Sequence, residues 1–574
     1  MSARWLCTLG LFAFIIPTAS AQDPRSPLRF VPKQAEAIVY VQKPRDLVDA
    51  VLKNEVFLQA QKLAGVRDLY DSTNTRQFYQ LLAYLEKQLD QNRYDLLDEL
   101  TSGVVVLGAK LTQPGGAVLV IQANDEKKLR RFLDVAFDIV QKELERQESK
   151  DKLERSMRDG VEVGQVGPKV RFAIMDGAFL IASDDAVLKL ALEAPSKKTS
   201  VMHNPRFVDA IKKTAGKPLA WGWINLDEVR SNNPEFKNGL DAAGLDPFQM
   251  LLFGGFADLL KRTPYVAASV NRETAGGYRI GIAMPVGANG MAPVKHMILP
   301  ADKAGTMTPL QPPRVISSSS YFLDLGELWE KRVEILGAKN AAGLDEGDKN
   351  LAKFLGGIKL AKLFKAMGPH HRLVFAQQKE RPYKVKPAAP FPAVALVVDM
   401  RDQTFAKDMN SIFRAAALLA TFQVGLTLKE EKYKGCDLVS YYFSETKKFD
   451  GDPTGIRFNF SPTYVTVGNQ FVMSGTAELA RDLIDLLQAE RIQQASPASM
   501  QTRFYSSGLG EIIRMNQDQT LTQLILSYAL PPKTAAEELR RILDWVDQLG
   551  TLRLESTYGA NDFRYDVFWQ PKKR

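Results

Sequence analysis

Ser444 and Lys447 have the spacing of the nucleophilic serine and the lysine in the S-x-x-K motif of penicillin-binding serine enzymes. In those enzymes one helical turn brings the lysine amine next to the serine hydroxyl. The companion motifs S-D-N and K-T-G do not occur in this sequence, and residues 444–447 lie in a predicted loop between two strands. We therefore predict no serine nucleophile at this position.

Residues 450–455, with the sequence DGDPTG, begin like a calcium-binding loop, which has oxygen ligands at its first, third and fifth positions and glycine at its sixth. The twelfth position of such a loop is a bidentate glutamate, but here it is Ser461. Clusters of aspartate, glycine and proline are also typical of plain turns. We predict a turn without bound calcium.

The four histidines do not form a metal-binding pattern. His370 and His371 are adjacent in a predicted strand, where neighbours point to opposite faces, and His203 and His296 lie in other segments. The sequence also lacks the zinc-protease, C-x-x-C, P-loop and complete dinucleotide-binding motifs. We predict no metal site and no cofactor site, and the sequence identifies no catalytic residue.

Trp221 and Trp223 alternate along a predicted strand and therefore face the same side of a sheet. If the pair were exposed, it would be a platform for carbohydrate or protein. If it is buried, it is part of an ordinary core. We favour the core interpretation.

The composition is that of an ordinary globular protein. The chain has 574 residues, of which 45% are hydrophobic and 25% are charged. Only four histidines and two cysteines occur, which disfavours zinc sites and disulfide frameworks. The formal net charge of +9 arises from basic groups that are interleaved with acids or lie in turns and the tail, and we interpret them as solvated faces. The densest groups are residues 127–131, 379–386 and 572–574.

The first 21 residues have the three-part pattern of a secretory signal peptide. Arg4 provides the positive charge, residues 5–16 form a short apolar stretch, and residues 19–21 fit a cleavage site. The apolar stretch is shorter than the ~20 residues that a helix needs to cross a bilayer. We expect cleavage after Ala21, export to the periplasm or the extracellular space, and no later transmembrane segment. Removal of Cys7 would leave Cys436 as the only cysteine, without an intrachain disulfide.

Two segments repeat one pattern of a strand followed by an amphipathic helix. Residues 117–140 read AVLVIQANDEKKLRRFLDVAFDIV, and residues 393–416 read AVALVVDMRDQTFAKDMNSIFRAA. In each segment an aspartate, Asp125 or Asp402, stands at the predicted helix N-cap, before apolar residues spaced for one helix face. Further landmarks recur in the same order: residues 160–163 with 435–438, 175–183 with 467–475, and 278–285 with the end of the chain. We infer an internal duplication.

We predict an α+β fold with two related halves, each a largely antiparallel sheet with helices packed on it. Consecutive strands joined by turns dominate over strict strand–helix alternation, which disfavours a doubly wound parallel sheet. The predicted organisation is a signal peptide at 1–21, a first α+β repeat at 30–285, a linker rich in proline and glycine at 286–314, and a second α+β repeat at 315–574.

The sequence resembles a family of exported bacterial proteins that is known only as a domain of unknown function. The resemblance rests on the segments VPKQAEAIVYVQKPRDLVDAV, DGAFLIASDDAVLKLALE and VMHNPRFVDAI. It covers most of residues 30–285 and, more faintly, the second half. It implies an exported protein with the same order of strands and helices, and it implies no catalytic residue.

From these observations we predict a non-catalytic exported protein of the bacterial envelope that acts as a scaffold for binding or assembly. Its expected partners are proteins or envelope polymers, and no specific nucleic-acid binding is expected. Two alternatives stay open. One is a secreted enzyme whose active site is built from acidic residues scattered in the sequence, and the other is a peripheral binder of an anionic polymer or membrane surface.

Overall fold

The computed structural model describes residues 26–41, 43–100, 104–214, 218–236, 246–273, 276–285, 305–380, 382–490, 496–558 and 562–572. These residues form two compact units. The first comprises the described parts of Met1–Ala242 and Thr263–Pro285, and the second those of Ala243–Arg262 and Val286–Arg574. The second unit thus includes Ala243–Arg262, which the sequence analysis placed in the first repeat. The predicted signal peptide, and the predicted linker as far as residue 304, lie outside the described residues.

The first unit is built on antiparallel strands. These are β1 (Ala37–Val41), β2 (Val104–Lys110), β3 (Gly116–Gln122), β4 (Leu153–Arg158), β5 (Val161–Val166), β6 (Val170–Met175), β7 (Ala178–Ala182), β8 (Ala220–Ile224), β9 (Val266–Arg272) and β10 (Tyr278–Pro285). Hydrogen-bonded neighbours follow the order β4-β5-β6-β7-β3-β2-β1-β8-β9-β10, and each of these pairings is antiparallel.

Two-residue turns explain the tight hairpins of this sheet. Asp159 and Gly160 join β4 to β5, and Asp176 and Gly177 join β6 to β7, all with positive φ between 50° and 78°. Aspartate followed by glycine tolerates this left-handed conformation, which matches the twist of the flanking strands. The turn sequences therefore determine which strands pair as neighbours.

The helices of the first unit lie mostly between β1 and β2 and after β3, β7 and β8. They are Pro44–Leu52, Glu55–Ala60, Ala64–Tyr70, Thr73–Leu89, Arg93–Leu100, Glu126–Arg146, Asp185–Lys197, Pro205–Lys213 and Leu226–Asn232. Asp125 is the N-cap of Glu126–Arg146, as predicted, because its carboxylate accepts the backbone N–H groups of Lys127 and Lys128. Phe137 and Leu144 on this helix are buried. The helices Thr73–Leu89 and Arg93–Leu100 pack against its outer side.

Glu36 is a fully buried carboxylate that fastens the start of β1 to the end of β2. It accepts the backbone N–H groups of Leu111 at 2.7 Å and Thr112 at 2.8 Å, the Thr112 hydroxyl, and the Asn232 amide at 3.0 Å. Burial alone would raise the pKa of Glu36. The hydrogen bonds that Thr112, Asn232 and Leu111 donate to the ionised carboxylate outweigh the effect of burial. The pKa of Glu36 is therefore lowered overall.

We expect Glu36→Gln to destabilise the protein by about 2 kcal/mol, because it replaces charge-assisted hydrogen bonds by weaker ones and places an amide N–H against donors. The contribution of Glu36 is present above its unfolded pKa of about 4.3 and is lost as pH falls through the lower folded pKa. Urea denaturation at a series of pH values measures both effects. A difference between wild type and variant that stays constant down to the lowest pH would contradict this account.

The second unit also contains antiparallel strands. These are β11 (Val315–Phe322), β12 (Met367–Ala376), β13 (Ala393–Met400), β14 (Leu426–Tyr433), β15 (Cys436–Phe443), β16 (Thr463–Val467), β17 (Gln470–Ser474), β18 (Ala498–Tyr505), β19 (Thr551–Tyr558) and β20 (Asp562–Gln570). Their hydrogen-bonded order is β14-β15-β16-β17-β13-β12-β11-β18-β19-β20. The predicted α+β fold with a large antiparallel sheet is confirmed.

Helices cover both faces of the second-unit sheet. They are Pro247–Arg262, Leu325–Glu330, Arg332–Phe354, Leu360–Ala366, Thr404–Val424, Ala477–Ala489, Ser506–Met515, Gln517–Tyr528 and Pro532–Gln548. Alternation along β13 separates the two faces. Ala395 and Val397 pack in one core with the helix Ala477–Ala489, and Val398 and Met400 pack in another with Thr404–Val424. None of the helices in the described residues combines the length and apolar character needed to cross a bilayer.

The helix Thr404–Val424 begins differently from the prediction. Gln403 occupies the N-cap position, without a side-chain hydrogen bond to the helix. The predicted N-cap, Asp402, lies one residue earlier, and its carboxylate accepts the Thr404 N–H at 2.7 Å. An aspartate can bond the N–H two residues further along without occupying the cap position itself, as in an Asx turn.

Candidate functional site

An apolar groove with a volume of about 500 Å³ lies in the second unit, between the helix Thr404–Val424 and the sheet. We call this helix the groove helix and the space the apolar groove. Strands β13 to β17 and their connections form the other wall. The lining residues are Val394, Leu396, Phe413, Ala416, Ala417, Ala420, Leu426, Tyr441, Phe443, Pro462, Thr463, Tyr464, Met473, Ser474 and Gly475.

The groove exists because the sheet-facing side of the groove helix changes from large to small side chains. Phe413 fills the space above the sheet, and its ring stacks on that of Tyr464 with centroids 5.2 Å apart. Ala416, Ala417 and Ala420 follow on the same face, at i+3, i+4 and i+7 from Phe413. A methyl group does not reach the sheet, so the space beyond Phe413 stays open.

The first unit has no such run of alanines on its corresponding helix. In the register that aligns residues 117–140 with 393–416, Val140 and Leu144 correspond to Ala416 and Ala420. Leu144 is buried. The alanines of the groove helix therefore mark a specific difference between the two units.

Most of the polar side chains in the groove wall form hydrogen bonds within the protein, whereas the buried Tyr441 hydroxyl has no partner among the described residues. The Thr463 hydroxyl bonds to the Ser440 hydroxyl at 2.8 Å, and the Ser474 hydroxyl donates to the Thr476 carbonyl at 2.8 Å. No lining residue of the groove carries a charge. The wall therefore favours apolar contact over polar recognition.

Two tyrosines, Tyr441 and Tyr464, add aromatic surface to the wall. The Tyr464 hydroxyl donates to the Asn410 side-chain oxygen at 2.8 Å. Burial and the neighbouring Tyr441 raise the pKa of Tyr464, so the phenol stays neutral at physiological pH. Tyr464 therefore does not introduce charge into the groove.

One acid of the second unit, Asp482, has a raised pKa and does not line the groove. Burial and, secondarily, the charge of Glu478 raise the pKa of Asp482 to about 6. The Glu478 carboxylate accepts the Arg314 guanidinium at 2.6 Å and the backbone N–H groups of Lys379 and Glu380. These contacts anchor the segment that follows β12, so the arrangement is explained by a structural role.

A second polar cluster surrounds Arg372 on β12, whose side chain is almost fully buried. Its guanidinium donates to the Glu490 carboxylate at 2.6 and 3.0 Å and to the Gln470 side-chain oxygen at 2.6 Å. Burial lowers the pKa of the nearby His370 and raises that of Asp399, so both shifts favour the neutral forms. The charges of Arg372 and Glu490 thus pair with each other within the protein.

The serine and lysine of the S-x-x-K spacing do not act together. The Lys447 ammonium donates to the backbone carbonyls of Thr421 and Phe422, at the C-terminal end of the groove helix. The Ser444 hydroxyl instead contacts the Thr446 hydroxyl at 3.1 Å and accepts the Lys447 backbone N–H. The residues lie in a loop after β15, as the sequence predicted.

Asp452 lies in the segment that begins like a calcium loop, and its carboxylate forms hydrogen bonds and an ion pair within the protein. Its carboxylate accepts the backbone N–H groups of Ile456 at 2.7 Å and Arg457 at 3.0 Å, and it pairs with the Arg457 guanidinium at 3.0 Å. No group of three or more metal-ligating side chains occurs in the part of the chain that the structure describes.

The histidines are separated, as their spacing indicated. His371 hydrogen-bonds the Leu323 carbonyl at 2.9 Å, and the His370 ring lies edge-on to Phe322. His203 contacts the Ser200 hydroxyl in the first unit. His296 lies outside the described residues.

Trp221 and Trp223 are both buried in the core of the first unit. Phe207 lies edge-on to both rings, at 5.3 and 5.4 Å between centroids. The Trp221 indole N–H donates to the Thr214 hydroxyl at 2.6 Å. The pair is therefore core and not an exposed platform.

Comparisons with known proteins do not add to this geometry. No protein-family model matches the chain, and neither the curated proteins nor the solved structures yield a match. The apolar groove is thus the feature on which a functional interpretation rests.

Proposed function

We propose that the protein is a non-catalytic, exported binding protein of the bacterial envelope, and that its apolar groove binds an apolar chain of the ligand. The observation that carries the proposal is the wall of the groove, which combines a volume of about 500 Å³ with uncharged side chains. Pockets of about 300–1,000 Å³ with mostly apolar walls are typical of small-molecule sites.

Binding is favoured over catalysis because the groove wall has no charged side chain and no histidine or cysteine, and its only ionisable side chains are the phenols of Tyr441 and Tyr464. Asp482, Asp399 and His370, whose pKa values are shifted, do not line the groove. The hydroxyl groups of Thr463 and Ser474 are bonded to other protein groups. A general acid or base must reach the reacting atom directly or through one water. The enzyme alternative therefore has no site in this groove.

The chemistry of the ligand follows from the same wall. Ala416, Ala417 and Ala420 present only methyl groups, which let a narrow unbranched chain approach the helix backbone. Burial of apolar surface contributes about 0.8 kcal/mol per methylene group. Ten methylene groups would thus contribute about 8 kcal/mol, equivalent to a Kd of about 1 µM before the costs of ordering the chain.

We also propose that the two units arose by duplication and that the chain belongs with the exported family it resembles. The strand orders support the duplication, because each strand of the first unit has a counterpart at the same place in the second. The order β4-β5-β6-β7-β3-β2-β1-β8-β9-β10 corresponds to β14-β15-β16-β17-β13-β12-β11-β18-β19-β20. In this proposal, larger side chains on the helix of the first unit pack against its sheet, and alanines at the same positions of the second unit leave the groove open. Export rests on the pattern of residues 1–21.

Titration with a fluorescent fatty acid tests the proposed function. We expect the purified mature chain to bind the probe saturably, with one site per chain and micromolar or weaker affinity. An unlabelled fatty acid should displace the probe, whereas a short carboxylic acid such as acetate should not. A folded protein that shows no saturable binding would contradict the proposal.

A further inference from the structure

Three large apolar side chains project into solvent at the end of the groove helix. Leu418, Leu419 and Phe422 are 64%, 69% and 76% exposed. We call these three residues the apolar tip. Residues 415–428 contain no charged side chain, so the tip lies in an uncharged stretch of fourteen residues. Exposed apolar patches of this kind mark interaction sites more often than single exposed residues do.

The tip is specific to the second unit. In the register that relates the two helices, Leu418, Leu419 and Phe422 correspond to residues 142, 143 and 146. Those residues are charged: Lys142 pairs with Asp138 at 2.6 Å, and Arg146 pairs with Glu143 at 2.6 Å. Charged side chains are the ordinary solution at exposed helix positions. The second unit has three large apolar side chains at the same positions.

One lysine ammonium lies at the end of the groove helix that carries the tip, and a second lysine follows it in the chain. The Lys447 ammonium is held at the carbonyls of Thr421 and Phe422, which places a positive charge at this end of the helix. Lys448 follows and is exposed. No ion pair between either ammonium and a carboxylate occurs among the described residues. Exposed apolar side chains next to lysines that form no ion pair with a carboxylate match the surface of an anionic bilayer, which has anionic headgroups outside and acyl chains inside.

We propose that the apolar tip docks on an anionic lipid bilayer, with Leu418, Leu419 and Phe422 at the boundary between headgroups and acyl chains. Lys447 and Lys448 contact the anionic headgroups. Charge complementarity favours a bilayer over a second copy of the chain, because two-fold pairing of the tips would bring like-charged lysines together. This inference rests on the proposed function. It adds that the apolar chain bound in the groove comes from the membrane.

Sedimentation with lipid vesicles tests the docking. We expect the mature chain to bind vesicles of phosphatidylcholine and phosphatidylglycerol in equal parts, and to bind vesicles of phosphatidylcholine alone more weakly. Phe422→Ser should reduce binding to both about tenfold, because a large apolar side chain no longer enters the lipid. Lys447→Ser and Lys448→Ser should each reduce binding to the anionic vesicles about fivefold, and raised salt should act in the same direction.

Phe354→Ser is the matched control, because Phe354 is 82% exposed but lies on another helix of the second unit. It should bind vesicles like the wild type, and circular dichroism should show all four variants folded. Equal vesicle binding by wild type and Phe422→Ser would overturn the proposal. So would sedimentation equilibrium showing a wild-type dimer that Phe422→Ser abolishes, because the tip would then be covered by a second copy.

Different results would overturn the membrane docking and the binding of an apolar chain in the groove. Saturable binding of the fluorescent fatty acid without vesicle binding would overturn the docking and leave the proposed function intact. Vesicle binding that depends on Phe422, without fatty-acid binding, would support the docking and overturn the role of the groove.

Discussion

Replacing Ala416 with valine and Ala420 with leucine is expected to weaken ligand binding strongly and to stabilise the protein. The two changes install the side chains that the first unit carries at Val140 and Leu144. They fill the space between the groove helix and the sheet, so a bound chain no longer fits. We expect fatty-acid affinity to fall at least tenfold, whereas filling of an empty cavity should raise the free energy of unfolding by about 0.5–2 kcal/mol.

Ala415→Val is the control for this experiment, because residue 415 is on the groove helix but does not line the groove. Ala415 and Ala416 are both exposed, so Ala415→Val adds the same atoms in a similar environment outside the groove, and we expect unchanged fatty-acid affinity. A thermal melt with and without fatty acid measures both quantities together, since a ligand stabilises only the state that binds it. If the double variant kept wild-type affinity, the ligand would bind elsewhere.

Arg372→Met is expected to be the most destabilising single substitution among those considered. The Arg372 side chain is 2% exposed and that of Glu490 is 13% exposed, so removal of the guanidinium leaves a largely buried carboxylate without its partner. Breaking one side of a buried ion pair costs about 3–5 kcal/mol. Urea denaturation should show a lower midpoint with little change of slope, because the surface exposed on unfolding stays similar.

Arg414→Met is the matched comparison. Arg414 pairs with Glu430 on the surface, where both side chains are about half exposed. Exposed pairs contribute about 0–1 kcal/mol, so we expect a small change of midpoint. A similar loss for Arg372→Met and Arg414→Met would contradict the structural role assigned to the buried network.

The fold was predictable because local sequence signals agree with it. Asp176 and Gly177 form the type of turn that antiparallel hairpins require, and Asp125 caps the helix that it precedes. The alternation of apolar residues along β13 separates the two packed faces. In contrast, the grouping of Ala243–Arg262 with the second unit depends on contacts far apart in sequence, which no local pattern reports.

No sequence motif predicted the groove, because the groove results from small side chains on the helix and not from residues with a recognisable chemistry. Ala416 and Ala420 are ordinary helix-forming residues and carry no chemistry of their own. Both alanines stand where the first unit has larger residues in the aligned segment, but the meaning of this difference depends on which helix face meets the sheet. Arg372 is a similar case, because its partner Glu490 lies 118 residues away in the chain.

Spacing alone also suggested chemistry that the fold does not build. Ser444 and Lys447 have the separation of a catalytic pair, but that separation brings the two side chains together only on a helix. Here the segment is a loop, and the Lys447 ammonium reaches the end of the groove helix instead. A motif thus indicates a function only in the secondary structure that gives it its geometry.

Photo-crosslinking with a diazirine-labelled fatty acid, followed by peptide mass spectrometry, shows whether the apolar chain binds in the groove. The label reacts with whatever lies next to the bound chain, so it reports the location of the ligand and not only its affinity. We predict crosslinks to Ala416, Ala417, Ala420, Tyr464 or Met473 in the wild type, and their loss in the variant Ala416→Val/Ala420→Leu. Crosslinks confined to the first unit, or unchanged by the two substitutions, would contradict the account.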